Sequence, residues 1–412
     1  MDSPAASSQT VRPERTSTAG WIAVGVLSLA TFLVVTSEML PVGLLTPMAD
    51  GLAISAGLTG SSLTVTGLVS AVTALLVPRL LGMLDRRLVL AAAMVVLAVG
   101  NLLTAFAGGF GTLVLARVVL GLGMGTVWGL AAAVAGRLVA PVHGARAVSL
   151  AVGGVAAASV FGVPLGTLLG NAAGWRAAFA TLTALAAILS VALILALPRL
   201  PRPAAATDGT DDAGPRSLAR PEVVTGLIVV VLLVTAHFAA YTYVRPVLEE
   251  LPRLSANTIA LLLLLYGVFG LIGNFAAGAL AARRPRPTVL LLAAGIVIAL
   301  ATLALAGTGA LTAGLAVALW GVAYGGLSVG GQLWMTTAAP DRVEHVTGLY
   351  VGFFTASIAL GAFLGGVVVE GTGLLPLLWG SAGLALLSLI FGLLRTNRFN
   401  RAASGPGSPT PE

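Results

Sequence analysis

Long apolar stretches alternate with short polar ones along nearly the whole of this chain. Each apolar stretch has about 20 residues or more, the length that an α-helix needs to cross the hydrocarbon core of a bilayer. We place spanning helices at residues 21–49, 58–80, 88–107, 112–138, 147–169, 175–197, 223–248, 258–282, 288–306, 311–338, 346–369 and 374–394. The pattern predicts an all-α membrane protein with twelve transmembrane helices.

One polar linker and two polar tails interrupt this pattern. Residues 198–220 hold four Pro, four Arg and three Asp without an apolar period, which predicts a solvated cytoplasmic linker. The linker separates two six-helix bundles, at residues 21–197 and 221–398. The tails, residues 1–20 and 399–412, are predicted to be disordered and cytoplasmic.

The two bundles resemble each other at a fixed offset of 199 residues. Gly162 falls on Gly361, and Glu38 falls on His237. Duplicated six-helix halves are typical of one class of transporter, which holds its cargo between the halves near the bilayer midplane. We therefore expect two pseudo-symmetric bundles with a site between them.

Composition limits the function. Only 9% of the residues are charged and 58% are apolar, whereas a soluble domain has about a quarter of its residues charged. Eighteen Arg residues fall on one side of the predicted membrane and three on the other, which favours cytoplasmic termini and a lipid environment over a nucleic-acid partner. The chain has no Cys, no phosphate-loop or HExxH pattern and no GxSxG with a plausible catalytic triad, so we expect no cofactor, no metal site and no enzyme activity.

Glu38 is an acidic residue well inside a predicted span. Such groups are rare and usually functional, and apolar surroundings favour the neutral form of a carboxyl group. We expect Glu38 to carry a proton; the alternative is a structural carboxylate held by one partner. Arg117 lies inside the fourth span, where it either pairs with Glu38 or ties the first helix to the fourth. His237 either relays protons or packs as a satisfied neutral ring.

Other polar, aromatic and flexible side chains within spans are candidates for the cargo cavity. Each could equally serve helix packing or, for the two tyrosines, anchoring at the membrane interface. These candidates are Asn101, Met124, Trp128, Tyr241, Tyr243, Asn274, Gln332 and Trp334.

A stripe of small residues marks the fifth span. Every fourth position is small, and Pro164 should bend the helix. Such a stripe lets another helix pack closely, either statically or as a sliding contact between the halves. Its members are Gly154, Ala158, Gly162, Gly166 and Gly170, and Gly361 and Gly365 repeat part of it in the eleventh span.

A charged loop joins the second and third spans. Its Asp85, Arg86 and Arg87 either latch the cytoplasmic side or form a solvated turn.

Five segments resemble the major facilitator superfamily, in particular its twelve-span drug:proton antiporters and sugar-efflux relatives. They are TSEMLPVGLLTPMA at 36–49, LARVVLGLGMG at 115–125, GVPLGTLLG at 162–170, GWRAAF at 174–179 and YTYVRPVLEE at 241–250. The resemblance implies that Glu38 occupies the acidic position of the first helix and that Arg117 takes part in proton transfer. It also implies that the fifth-span motif marks an exporter.

From these residues we expect a monomeric, proton-coupled antiporter of the bacterial inner membrane. It would export small, partly lipophilic molecules such as antibiotics or drugs by alternating access. The competing hypothesis is a proton-coupled transporter of sugars or metabolites, working by efflux or by uptake symport.

Overall fold

The computed structural model describes residues 16–80, 84–200, 220–306 and 309–403. Twelve helical segments within these residues are long and apolar enough to span a bilayer. This confirms the prediction of an all-α membrane protein. Most of the predicted linker, residues 201–219, and the outer parts of both predicted tails, residues 1–15 and 404–412, lie outside the described residues.

The first half of the chain forms six spans. Their helices are α1 (Thr18–Leu52), α2 (Ala56–Leu80), α3 (Arg86–Ala105), α4 (Phe110–Arg137), α5 (Gly144–Ala157), α6 (Val163–Ala173) and α7 (Trp175–Ala196). A π-helical turn, Ala158–Gly162, joins α5 to α6 within the fifth span. The turn lies just before Pro164, which cannot donate a backbone hydrogen bond, so a wider turn accommodates the gap in the helical ladder.

The second half repeats this plan. Its helices are α8 (Pro221–Tyr241), α9 (Val244–Glu250), α10 (Ala256–Ala281), α11 (Pro285–Ala306), α12 (Ala310–Gly325), α13 (Leu327–Ala338), α14 (Val343–Thr372) and α15 (Leu374–Ala403). Helix α9 extends the seventh span beyond a break, and α12 and α13 together form the tenth span. The last helix continues to Ala403, beyond the predicted end of the bundle at residue 398.

The internal repeat is visible in the backbone. Leu44 interrupts α1 with φ −119° and ψ 17°, and Tyr243, which lies 199 residues later, separates α8 from α9 with φ −107° and ψ 17°. A proline follows each break three residues later, at Pro47 and Pro246. Proline removes one helical hydrogen bond, so a proline at the equivalent position of each half favours a kink at the same place.

Each half has its own apolar core, and the two cores meet towards one end of the molecule. The core of the second half includes Val42, Leu45, Leu63 and Val163 from the first half. The loop between α1 and α2 and the loop between α9 and α10 lie at this end, which we call the distal end. The opposite end carries the start of α1 and the end of α15, and we call it the terminal end.

Hydrogen bonds between the halves close the distal end. The Tyr243 hydroxyl lies within hydrogen-bond distance of the Gly57 carbonyl in the other half, at 3.2 Å, and of the Ala362 carbonyl in its own half, at 3.1 Å. The Gly57 backbone N–H donates to Glu370 at 3.0 Å, and the Asn171 side-chain amide donates to the Ala256 carbonyl at 3.0 Å. The described structure is therefore a state in which the two halves meet at their distal ends.

Candidate functional site

Helix α1 carries two backbone carbonyls that its own prolines leave without a helical donor. In an α-helix the N–H of residue i donates to the carbonyl of residue i−4. Pro41 and Pro47 have no N–H, so the carbonyls of Ser37 and Gly43 lose their normal partners. Both carbonyls accept hydrogen bonds from arginines instead, Ser37 from Arg117 and Gly43 from Arg245. The proline positions thus determine where cations dock on α1.

Glu38 follows the first of these carbonyls directly. Its side chain is only 8% exposed. Within the part of the chain that the structure describes, its carboxylate forms no hydrogen bond and no ion pair. Arg117 is close enough for the two charges to interact, but the guanidinium donates to the neighbouring Ser37 carbonyl at 3.5 Å. Glu38 is therefore a buried acid that is near a cation without being locked to it.

Arg117 is fully buried in α4 and has few partners. Its guanidinium lies 5.4 Å from the centre of the Phe179 ring, a cation–π distance. Among the described residues, its Nε and Nη2 atoms have no hydrogen-bond partner. The Asn101 amide donates to the Ser37 hydroxyl at 3.0 Å, so Asn101 and Arg117 hold the side chain and the backbone of the same residue. This arrangement ties α3 and α4 to the segment of α1 that carries Glu38.

His237 is at the centre of an aromatic cluster in the second half. The ring is fully buried and stacks on Tyr324, with 3.5 Å between ring centres and 6° between planes. Trp320 Nε1 donates to His237 Nδ1 at 2.9 Å, so the proton of a neutral ring is on Nε2. Nε2 faces the Tyr266 hydroxyl at 3.5 Å. These contacts favour a satisfied neutral histidine over a free proton relay.

The aromatic cluster lies close to Glu38. It consists of His237, Phe238, Tyr241, Tyr266, Trp320 and Tyr324. Tyr324 is half-buried and is near enough to Glu38 for an electrostatic interaction. The sequence repeat pairs Glu38 with His237, and the fold places an acid on one half opposite an aromatic surface on the other.

The small-residue stripe of the fifth span packs against α1. A Cβ on Gly162 would meet the Thr36 side chain, and one on Gly166 would lie 2.7 Å from Leu40 Cδ1. Gly361 packs in the same way against the Thr235 carbonyl of α8, at the position that the 199-residue offset predicts.

The remaining members of the stripe face the same way. Gly154 and Gly170 also face α1, and Gly365 faces Ala239 of α8. Ala158 is fully buried in the π-helical turn, and Pro164 is buried just after it. The stripe is therefore an intra-half contact, which corrects the alternative of a sliding surface between the halves.

Sequence and fold comparisons place this arrangement among known transporters. The profile of the Major Facilitator Superfamily matches residues 27–355. The chain belongs to the major facilitator superfamily. It is therefore a membrane transporter and not an enzyme, and the family resemblance seen in the sequence is confirmed.

Two relatives are purine ribonucleoside efflux pumps named NepI. The Escherichia coli pump is 32% identical over 374 residues, which is 90% of this chain and 93% of the pump. The Salmonella paratyphi B pump is 31% identical over 373 residues, which is 90% of this chain and 92% of the pump.

Two solved structures share the fold at low identity. A bacterial homologue of the human lysosomal transporter Spinster, in an inward-facing and unoccupied conformation, has a TM-score of 0.71 at 15% identity and covers 96% of this chain and 100% of that one. A variant of the nucleoside transporter NupG has a TM-score of 0.73 at 12% identity and covers 92% of this chain and 99% of that one. At these identities the likeness concerns the fold alone.

The predicted cavity residues of this superfamily member do not form one group. Tyr241 belongs to the aromatic cluster, whereas Tyr243 bonds across the halves at the distal end. The others are spread over both halves. Asn101 and Met124 lie within the first half, Trp128 is half-buried, Asn274 donates to the Gly325 carbonyl, Gln332 is exposed, and Trp334 is buried beneath Arg286.

The loop residues Asp85, Arg86 and Arg87 organise the start of α3. Asp85 is its N-cap and accepts hydrogen bonds from the backbone N–H groups of Arg87 and Leu200, both at 3.0 Å. Partial burial acts to raise the pKa of Asp85, but these two hydrogen bonds and the charges of Arg87 and Arg199 outweigh it and hold the pKa below its usual value. The Arg86 backbone N–H donates to the Leu200 carbonyl at 3.2 Å. Among the described residues these contacts join the start of α3 to the chain leaving α7.

The sequence interpretation missed the polar network at the distal end. Arg245, Glu249 and Asn171 meet there, and none of them is among the site residues predicted from the sequence. The spacing of four residues between Arg245 and Glu249 within a helix was the one available signal. Their contacts with the first half could not be read from it.

Proposed function

We propose that this transporter is a proton-coupled exporter that works by alternating access between its two halves. Its cargo is a small, partly lipophilic molecule, with purine ribonucleosides placed ahead of antibiotics and other drugs. It resides in the bacterial inner membrane with its terminal end facing the cytoplasm, as the distribution of arginines supports.

The observation that carries this proposal is the burial of Glu38 within the membrane span without a fixed partner among the described residues. An intramembrane acid without a fixed partner can gain or lose a proton as its surroundings change between apolar packing and water. In the cycle, protonation of Glu38 from the outside releases cargo and favours the return step. Release of the proton to the cytoplasm allows new cargo to bind.

The cargo class rests on two observations. The NepI pumps, at 31–32% identity over 90% of this chain, are named for purine ribonucleoside efflux. The aromatic cluster beside Glu38 offers ring faces, and stacking on aromatic side chains is a common way to bind a flat base. The half-buried Tyr324 is the member of the cluster on which we place the base.

Transport by purified protein in liposomes tests the proposal. An imposed proton gradient should drive accumulation of labelled adenosine or guanosine against its concentration gradient. Glu38→Gln should keep binding of the nucleoside, because the shape of the side chain is preserved, and should lose the gradient-driven accumulation. Glu250→Gln is the matched control, since Glu250 is exposed at the end of α9, and it should behave like the unaltered protein.

Two results would count against separate parts of the proposal. Unchanged gradient-driven transport by Glu38→Gln would remove Glu38 from proton coupling. Transport of a lipophilic antibiotic without transport of either nucleoside would leave the coupling in place and replace the cargo.

A further inference from the structure

The distal end contains a buried cation that links the two halves. Arg245, in α9, is 4% exposed. It donates through Nη1 to the Gly43 carbonyl of α1 at 2.5 Å and to Asn171 Oδ1 of α6 at 3.1 Å. Its Nε atom lies 2.8 Å from Glu249 Oε1. One side chain of the second half therefore bonds to two helices of the first.

The acceptor on α1 exists because of a proline. Gly43 would normally accept from residue 47, which is Pro47 and has no N–H. A buried carbonyl without a donor costs free energy, and in the closed state Arg245 supplies that donor. If the distal ends separate, water can reach the same carbonyl and the arginine is no longer needed.

Glu249 completes the network across the pseudo-symmetry axis. Its carboxylate accepts from the Thr46 hydroxyl of α1 as well as from Arg245. Thr46 and Arg245 are 199 residues apart, so they occupy equivalent positions in the two halves. The two equivalent residues meet at this interface between the halves, where both donate hydrogen bonds to Glu249.

We propose that Arg245 is a latch that holds the distal ends of the two halves together and sets the balance between distal-closed and distal-open states. The latch rests on the alternating access of the proposed function but not on the identity of the cargo or on proton coupling. Its charge-assisted hydrogen bonds exist in the closed state and must break each time the distal end opens.

Distances between spin labels test the latch without cargo or gradient. The chain has no Cys, so labels can be introduced at chosen sites only. Leu115→Cys with Leu311→Cys reports the distal separation, and Val142→Cys with Ala282→Cys reports the terminal end; all four sites are exposed. In Arg245→Gln we expect the ratio of distal-open to distal-closed molecules to rise about tenfold, with longer distal and shorter terminal distances.

Matched variants give the test its controls. Arg253→Gln, which removes an exposed arginine from the loop before α10, should leave both distance distributions unchanged. Arg245→Lys keeps the charge but not the planar fork of donors and should shift the ratio by less than Arg245→Gln.

Unchanged distances in Arg245→Gln, or an equal shift in Arg253→Gln, would overturn the latch. If Arg245→Gln cannot be purified as a monodisperse protein, Thr46→Val decides instead. A rise of less than about tenfold in the ratio of distal-open to distal-closed molecules supports the latch, and an unchanged ratio refutes it. Because no cargo is present, a failed latch is distinguishable from a failed transport proposal.

Discussion

A single methyl group at Gly267 should push the two halves apart. Gly267 lies in α10, and a Cβ there would be 2.5 Å from the Ser159 carbonyl oxygen and 2.6 Å from Val160 Cα. Both atoms belong to the backbone of the π-helical turn in the first half. Backbone atoms cannot rotate away as the end of a side chain can, so the helices themselves must move.

The size of the effect follows from overpacking. Forcing an extra methyl group into a well-packed contact costs typically about 1–3 kcal/mol. In Gly267→Ala this cost applies to the distal-closed state, in which α10 contacts the π-helical turn, and is relieved when the two separate. A difference of about 1–3 kcal/mol changes the ratio of two states by about 5–150-fold.

The same helix provides the control. A Cβ at Gly270 would have the Gly321 carbonyl oxygen of its own half at 3.5 Å as its nearest neighbour, an ordinary contact. Gly270→Ala should therefore leave the ratio of states unchanged. Both alanine variants gain the same helix propensity, so the comparison isolates the contact between the halves.

Spin-label distances between positions 115 and 311 measure the outcome. We expect Gly267→Ala to move the distribution towards longer distal distances and Gly270→Ala to match the unaltered protein. Equal behaviour of the two variants would refute the reasoning that the π-helical turn and α10 form a tight contact specific to the closed state.

Two further predictions concern stability in detergent, measured by thermal unfolding. Asp85→Ala should lower the free energy of unfolding by about 1 kcal/mol, because it removes the N-cap of α3. Since the folded-state pKa of Asp85 lies below its ordinary value, this loss of stability should be complete at neutral pH and should fade as the pH falls below about 4. A loss of stability that does not depend on pH would contradict this prediction. Trp320→Phe should lower the free energy of unfolding by about 1–3 kcal/mol, because it leaves the buried Nδ1 of His237 without its hydrogen-bond donor. The control Trp379→Phe, at a site 43% exposed, should change stability little, and equal losses in the two variants would argue against the hydrogen bond.

Prediction from the sequence was strongest for features that depend only on the order of residues along the chain. The length and apolarity of each stretch determined the twelve spans, because a bilayer requires about 20 apolar residues per helix whatever the neighbours are. The 199-residue offset predicted the repeat, and its physical form is visible in the matching breaks at Leu44 and Tyr243. Pro47 and Pro246 set these breaks locally.

The contacts between helices were harder to predict, since a helix can turn any face towards any neighbouring helix. The stripe around Gly162 predicted a close helix contact, but only the fold showed that α1 of the same half fills it. The sequence leaves open whether Arg117 pairs with Glu38 or ties the first helix to the fourth; in the structure the two charges interact without an ion pair, and the guanidinium donates to the carbonyl that Pro41 leaves free. A sequence pattern gives the acid and the cation but not the competing acceptor.

By itself, then, the sequence determined the membrane class, the number of spans, the duplication and the presence of a buried acid at Glu38. Those properties depend on composition and on spacing along the chain. The tertiary structure alone decided that Arg245 reaches Gly43 across the halves and that His237 is enclosed by aromatic rings. Such contacts join residues that are distant in the chain, and they form only when the packing of both halves fixes their separation.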